Sequence, residues 1–237
     1  MDLGLGGKVA LVTAASKGLG RASAQALVDE GAKVAINARD PERLRATAAA
    51  LGEDALALPG DVTDPDAPRR LVAATVERFG GLHVLVANAG GPPKARAVDV
   101  DDATLQAAID ANLLTSVRLV RAALPHLRVA GWGRICLIAS SSVKQPIPDL
   151  ATSNTARAGL WGWAKTAAQE LVDDGITLNL ACPGLHRTDR VTEAGLSGRM
   201  GDPADFGKVV AFLCSEPAGF LSGAALQVDG ASTLGLL

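Results

Sequence analysis

Short apolar runs rich in β-branched residues alternate along this chain with longer stretches whose apolar positions recur at helical spacing. Lys8 to Thr13 (KVALVT) reads as a buried strand, and Gly18 to Gly31 as a helix with Ala22, Ala26 and Leu27 on one face. Lys33 to Asn37, Ala55 to Leu58, Leu82 to Ala87, Arg134 to Ala139, Thr177 to Ala181 and Ala225 to Val228 read as further strands. Asp40 and Pro41 open a second helix, because aspartate caps free N–H groups and proline suits the first turn. Asp66 to Phe79, Asp101 to Leu127, Leu150 to Asp173 and Pro203 to Ser215 carry the remaining helical patterns. Strands apolar on both faces and separated by helices predict an α/β fold, a doubly wound parallel sheet of about seven strands with helices on both faces. Right-handed crossovers then place a ligand crevice at the carboxyl ends of the strands. Leu185 to Asp202 is the longest stretch without either pattern, and is the expected substrate lid.

The chain has 237 residues, 48% hydrophobic and 20% charged, enough for a full-sized core, and one domain is expected to span 1–237. A net charge of -2 gives no global field for nucleic acid or an anionic membrane, so neither is an expected partner. Cys136, Cys182 and Cys214 are far apart in sequence, in apolar surroundings and without metal-ligand spacing. They point to a reducing, cytoplasmic setting and to no metal. No apolar run reaches the length of a membrane span, and Met1-Asp2-Leu3-Gly4 lacks a signal-peptide pattern. There is no tyrosine, which excludes any mechanism that needs a phenol.

The first strand runs into Thr13-Ala14-Ala15-Ser16-Lys17-Gly18-Leu19-Gly20. Glycines between a strand and a helix let the backbone approach a pyrophosphate, whose charge meets the helix N-terminus. The spacing resembles the TGxxxGxG turn of the short-chain dehydrogenase/reductase family, with Ala14 in place of the first glycine. Other matches follow in family order. Asp61-Val62 resembles the adenine-contacting pair, Asn88-Ala89-Gly90 the NAG motif, and Asn112 the helix asparagine. Pro183-Gly184 resembles the PG motif, and Thr188 stands where the family contacts the nicotinamide carboxamide. Arg199 to Pro203 and Val228-Asp229-Gly230 resemble its C-terminal signatures. The resemblance spans essentially the whole chain and is closest to the bacterial β-ketoacyl-acyl-carrier-protein reductase-like branch. It implies a Rossmann-type dinucleotide-binding domain, a small-molecule carbonyl or alcohol substrate, and a homodimer or homotetramer joined through the Leu150 to Asp173 helix.

Charge argues for the cofactor. An NAD enzyme ends its second strand on a carboxylate that binds the ribose 2′-hydroxyl. Here Ala38 takes that position and Arg39 follows, with Lys17 in the glycine turn. Two cations favour a 2′-phosphate, so NADP(H) is expected over NAD(H), which stays possible. The competing reading makes both cations solvated surface charges and Asp40 the ribose ligand.

The family's catalytic set is Ser, Tyr and Lys with the Asn. Ser140 follows the strand Arg134 to Ala139, and the family spacing from it places Ser153 at the tyrosine position. Arg157, one helical turn on, takes the lysine position. An aliphatic hydroxyl is a far weaker acid than a phenol, and Arg157 can donate to ribose hydroxyls but cannot shuttle a proton. The proton source is left among a water oriented by Ser153, and Lys144, Asp149 and His186. Each side chain also has a bland reading: an exposed loop lysine, a helix cap and a partly exposed loop histidine. His83 and His126 read as structural, and Trp161 and Trp163 as interface aromatics. Two functions compete: an oxidoreductase with an altered proton relay, or a catalytically inactive nucleotide-binding sensor or assembly subunit.

Overall fold

The computed structural model describes residues 1–235. In chain order the main elements are β1 (Val9–Val12), α1 (Gly18–Asp29), β2 (Lys33–Ala38), α2 (Pro41–Leu51), β3 (Ala55–Pro59), α3 (Ala67–Phe79) and β4 (Val84–Ala87). They continue with α4 (Asp102–Ile109), α5 (Thr115–Ala130), β5 (Gly133–Ile138), α6 (Ala151–Leu171), β6 (Ile176–Pro183), α7 (Asp189–Glu193), α8 (Pro203–Leu213) and β7 (Ala225–Val228). The seven strands form one sheet in the order β3-β2-β1-β4-β5-β6-β7, every pairing parallel. The order reverses between β1 and β4, and a crevice opens outside the carboxyl ends of those strands.

Alternation within each strand builds two cores. Val9, Leu11, Leu85, Ile135, Leu137, Leu178 and Leu180 pack with buried residues of α3, α5 and α6. Their neighbours in sequence, Ala10, Val12, Val34, Ile36, Val84, Val86 and Ile138, pack with α1, α2 and α8. Successive strand side chains point to opposite faces, so a strand apolar at every position is covered on both. Asp40 caps α2, its carboxylate accepting from Glu42 N and Arg43 N at 3.1 Å, as the sequence leads one to expect.

Three expectations need correction. The helix expected over Asp101 to Leu127 is interrupted by a wide π-helical turn at Asp110–Leu114, where the Thr115 hydroxyl donates to Asp110 O at 2.9 Å. One extra residue in a turn leaves the apolar spacing on either side readable as a single helix, so the pattern hides it. The same helix passes Pro125 and His126 and ends at Ala130. Leu119, Val120, Ala123 and Leu127 are all buried, and their packing outweighs the N–H that proline lacks. Asp149 does not cap α6: the N-cap is Leu150, and Asp149 sits exposed at φ +58. Cys136 and Cys214, distant in sequence, meet in the core, where a hydrogen bond between the thiols and then burial push the Cys136 thiol up. Among the described residues no helix is long and apolar enough to cross a membrane, and no cluster could hold a metal ion.

Candidate active site

The glycine turn is locked to the end of β4. Thr13 Oγ1 donates to Asn88 O at 2.7 Å and accepts from Asn88 N at 2.9 Å, while Asn88 Nδ2 donates to Ala14 O at 3.2 Å. A Cβ on Gly20 would stand 2.4 Å from Ala14 O and 2.9 Å from Asn88 Nδ2, so only glycine fits there. Ala14 holds φ +48, a left-handed conformation that strains any residue with a Cβ. Ala89 and Gly90 line an accessible floor, and nothing lies within 4 Å of where a Gly90 side chain would start. Leu19 packs on the core below, and Val62 is buried in the opposite one. Asp61 accepts from Thr63 N at 2.9 Å and Thr63 Oγ1 at 2.8 Å, which holds its carboxyl below the usual range.

Beside this turn an open cleft of about 340 Å³ is lined by Ser16, Lys17, Arg21, Arg43, Ala46, Thr47 and Asp189. Arg39 is exposed at the end of β2, in no ion pair among the described residues, and its charge is felt by Asp61. Lys17 Nζ lies 3.9 Å from Asp189 and 3.7 Å from Glu193, and Arg43 Nη1 lies 3.9 Å from Asp189. Sequence reasoning found Lys17 and Arg39 but missed Arg21 and Arg43, which reach the cleft from helices α1 and α2. Asp40 is spent on its cap, which weakens it as a ribose ligand. The tight glycine cradle and the cations beside it fit a dinucleotide with an added phosphate.

The residues expected at the chemical end gather around α6 and the end of β5. Asn112 lies on the π-helical turn, buried, with Nδ2 3.4 Å from Ala108 O. Arg157 on α6 is 6% exposed; its Nη2 donates to Asn112 Oδ1 and its Nη1 to Ile138 O, both at 3.0 Å. Burial, and then the charge of Arg190, lower the Arg157 pKa to about 10, so it stays a cation at neutral pH. Ser140 accepts from Ser142 N at 3.1 Å. Ser153 is buried one turn before Arg157, and its hydroxyl has no hydrogen-bond partner among the described residues. Burial pushes the thiol of Cys182, at the end of β6, up to about 12.

The other candidate proton donors separate. His186 is not partly exposed: it is 4% exposed, stacks edge-on against Phe206 with ring centroids 5.2 Å apart, and holds Nδ1 3.2 Å from Gly184 O. It is a packing residue at the base of the loop from Leu185 to Asp202. Lys144 is half-buried, with Nζ 5.6 Å from the centroid of the Trp161 ring. Trp161 and Trp163 are half-buried against the chain's own core. Asn154 is a positioning residue that sequence reasoning missed: it accepts from Ile147 N at 3.2 Å and donates to Ile147 O at 2.9 Å, clamping the loop after Ser140.

Gly184 follows β6 where a Cβ would stand 2.8 Å from Asp229. The stretch from Leu185 to Asp202 carries helix α7 and is closed at its base by Gly201 N to Leu185 O at 2.9 Å and Arg187 N to Gly201 O at 3.0 Å. Thr188, the N-cap residue of α7, leans over the glycine turn: its Cγ2 is 3.6 Å from where a Gly18 Cβ would be. Arg190 of the same helix lies against Gly91.

Comparison with known proteins agrees with this geometry. Residues 13–233 match the family model described as enoyl-(acyl carrier protein) reductase. The chain is 32% identical over 239 residues to the 3-oxoacyl-[acyl-carrier-protein] reductase FabG of Vibrio cholerae, covering 96% of this chain and 98% of that protein. It is 31% identical over 243 residues to human dehydrogenase/reductase SDR family member 4, covering 95% and 87%. The crystal structure of L-sorbose reductase from Gluconobacter frateurii, complexed with NADPH and L-sorbose, superposes with a TM-score of 0.93 at 31% identity, covering 99% of this chain and 100% of that one. With its parallel sheet, glycine turn, NAG and PG motifs in family order, this chain belongs to the short-chain dehydrogenase/reductase family of oxidoreductases.

Proposed function

We propose that the chain is an NADPH-dependent reductase of a small carbonyl compound, built as one dinucleotide-binding domain over 1–237. In this reading Ser140, Asn112, Ser153 and Arg157 form its chemical end, and Ser153 and Arg157 stand at the family's tyrosine and lysine positions. The observation that carries it is Arg157: a buried cation fixed to Asn112 and to the end of β5, across the crevice from a cradle and cation cleft suited to NADPH. The Vibrio relative and the NADPH-bound sorbose reductase support the cofactor and the substrate class.

Thr13, Ser16, Gly18, Leu19, Gly20, Ala89 and Gly90 form the floor. Lys17, Arg21, Arg39 and Arg43 meet the 2′-phosphate, Asp61 and Val62 the adenine, and Pro183, Gly184 and Thr188 the nicotinamide side. NADPH, when bound, supplies the hydride. Ser140 orients the carbonyl oxygen by donating a hydrogen bond to it. Arg157 faces the negative charge that develops there, and as a fixed cation it stabilises that charge without giving up its proton. Ser153, its hydroxyl without a hydrogen-bond partner among the described residues, holds a water that donates the proton to the alkoxide and leaves as hydroxide into solvent. The three buried free thiols suit a reducing, cytoplasmic setting. Ala158 and Gly162 leave the outward face of α6 small and exposed, which suits close approach of a second copy in a homodimer or homotetramer.

The test is direct. NADPH and NADH are titrated by fluorescence, and loss of NADPH is followed against a panel of ketones and aldehydes. Arg39→Ala should weaken NADPH about 10- to 100-fold, as expected for losing a charge-assisted contact to phosphate, and leave NADH unchanged. Ser153→Ala should slow turnover, and Ser153→Tyr with Arg157→Lys should raise it by roughly 10²-fold or more if the pocket admits a phenol. A wild type that binds NADPH and reduces nothing would overturn the reading.

A further inference from the structure

Arg190 lies against Gly91 at the edge of the crevice, with no carboxylate at ion-pair distance among the described residues. A Cβ on Gly91 would lie 2.0 Å from Arg190 Nη1, 2.2 Å from Nη2 and 2.4 Å from Cζ, so the guanidinium occupies the berth that a side chain at position 91 would fill. Gly91 directly follows Asn88-Ala89-Gly90 and precedes Pro92-Pro93, which stiffen the edge of the berth. The acids nearest in sequence do not reach it. Asp189 and Glu193 share one face of α7 and turn to Lys17 and Arg43, while Arg190 is rotated about 100° from Asp189. Among the described residues Arg190 makes no ion pair, and its charge is instead felt by another cation, Arg157. Two guanidiniums within electrostatic reach, neither in an ion pair among the described residues, leave a positive field at this end of the crevice.

We infer that Arg190 reads an anionic group on the substrate, so that the carbonyl compound reduced here carries a carboxylate or a phosphate docked above Gly91. The inference rests on the reductase reading and narrows its substrate class. The cofactor's own phosphates are served elsewhere, by the glycine turn and by Lys17, Arg21 and Arg43 in the cleft beside α2. Arg190 on the lid is therefore free to meet the substrate, and its planar fork suits a carboxylate or phosphate bidentately.

Binding to the NADPH-loaded protein tests this without requiring turnover. Cofactor fluorescence is followed while two matched pairs are titrated: acetoacetate against methyl acetoacetate, and dihydroxyacetone phosphate against dihydroxyacetone. The anionic member of at least one pair should bind about tenfold tighter or more. Arg190→Met should weaken that member by roughly 10- to 100-fold and leave its neutral partner and the NADPH affinity unchanged. Arg190→Lys should keep part of the preference. Gly91→Ala, which keeps the charge but pushes the guanidinium from its berth, should lose most of it. Equal binding of anionic and neutral members, or silence from both pairs, overturns the inference. So does an Arg190→Met protein that loses NADPH itself, which would assign the arginine to the cofactor. A wild type that binds no NADPH removes the reductase reading first and this inference with it, a result distinct from each of the others.

Discussion

Arg134 and Arg157 meet the same strand, β5, at opposite ends, and both are buried, at 4% and 6% exposure. Burial lowers the pKa of each, and neither has a carboxylate within 4.0 Å among the described residues. What differs is the nature of their partners. Arg134 donates to Ser215 O and Gly133 O, both at 2.9 Å, and stacks 4.2 Å over the Trp132 ring. Trp132 in turn donates from Nε1 to Glu216 at 2.7 Å. Those acceptors of Arg134 are fixed main-chain carbonyls, and the carboxylate of Glu216 is near enough to offset part of its charge where it sits. Arg157 spends one hydrogen bond on a side chain, Asn112, held on a distorted helical turn, within electrostatic reach of Arg190. A buried guanidinium sealed by backbone is a brace. One held partly by a side chain, with a second guanidinium in electrostatic reach, is the better candidate to act on a ligand.

The largest expected effect separates the two ends. Arg134→Met should cost about 2–4 kcal/mol in urea unfolding, since it strips main-chain acceptors of a charged donor and removes the stack on Trp132. The folded fraction should still bind NADPH normally. Arg157→Met should cost less stability, about 1–2 kcal/mol, but lower turnover by roughly 10²-fold, the scale for losing a preorganised charge at a reacting oxygen. Equal stability losses with turnover intact in both variants would break the distinction.

A smaller effect belongs to the crevice end alone. Ala14 is held at φ +48 in the glycine turn, where the family carries glycine. Ala14→Gly should stabilise the chain by about 1 kcal/mol, relief of left-handed strain exceeding the extra entropy of the unfolded chain. For a chain of this length that is roughly 2–4 °C in Tm by calorimetry. A loss of stability would mean that the turn is not strained.

The brace end was hardly visible in the sequence and the crevice end only in part, for physical reasons. The strands were legible because Val9 to Val12 and Ile135 to Ile138 are apolar on both faces. The glycine turn was legible because Gly18 and Gly20 fall where a strand gives way to a helix, in the first turn of α1. Asn112 was placed by motif, but its π-helical turn was not, since one inserted residue hardly alters apolar spacing. Arg43 and Arg190 escaped because only folding brings the first turn of α2 and the lid helix to the crevice. His186 misled because its loop position says nothing of Phe206, which buries it. Asp149 misled because an aspartate before a helix usually caps it, whereas here the chain turns through φ +58.

The lid can sharpen the contrast further. Asp189 and Glu193 hold Lys17 and Arg43 at 3.7–3.9 Å, on the cations proposed for the 2′-phosphate. All these groups are exposed, so each pair is weak and screened by salt. Asp189→Asn with Glu193→Gln should tighten NADPH about two- to fivefold at low salt, the scale of exposed ion pairs, and leave NADH unchanged. Equal tightening of both cofactors would locate the effect in lid closure rather than in competition for the phosphate cations.

The smallest effect lies at the brace end and is read as a slope of stability against pH. His83 precedes β4 beside Trp132, its ring centroid 6.5 Å from that ring, and Val9 N donates to its Nδ1 at 3.1 Å. That hydrogen bond needs a neutral ring, and burial, followed by the charge of Lys8, lowers the His83 pKa below its ordinary 6.5. The unfolded chain then takes up a proton on this residue before the folded one does. Stability is at full strength above pH 6.5, declines as the pH falls below that, and is lost through the lowered folded value. Asp61, held below 3.8 first by the Thr63 backbone, gives up its contribution only in more acid solution. Urea midpoints measured between about pH 7.5 and 5 should therefore slope downward on the acid side in the wild type. His83→Gln, which keeps an acceptor near Val9 N but does not titrate, should flatten that slope while leaving NADPH affinity unchanged. An unaltered slope in the variant would move the acid sensitivity away from the Trp132 brace.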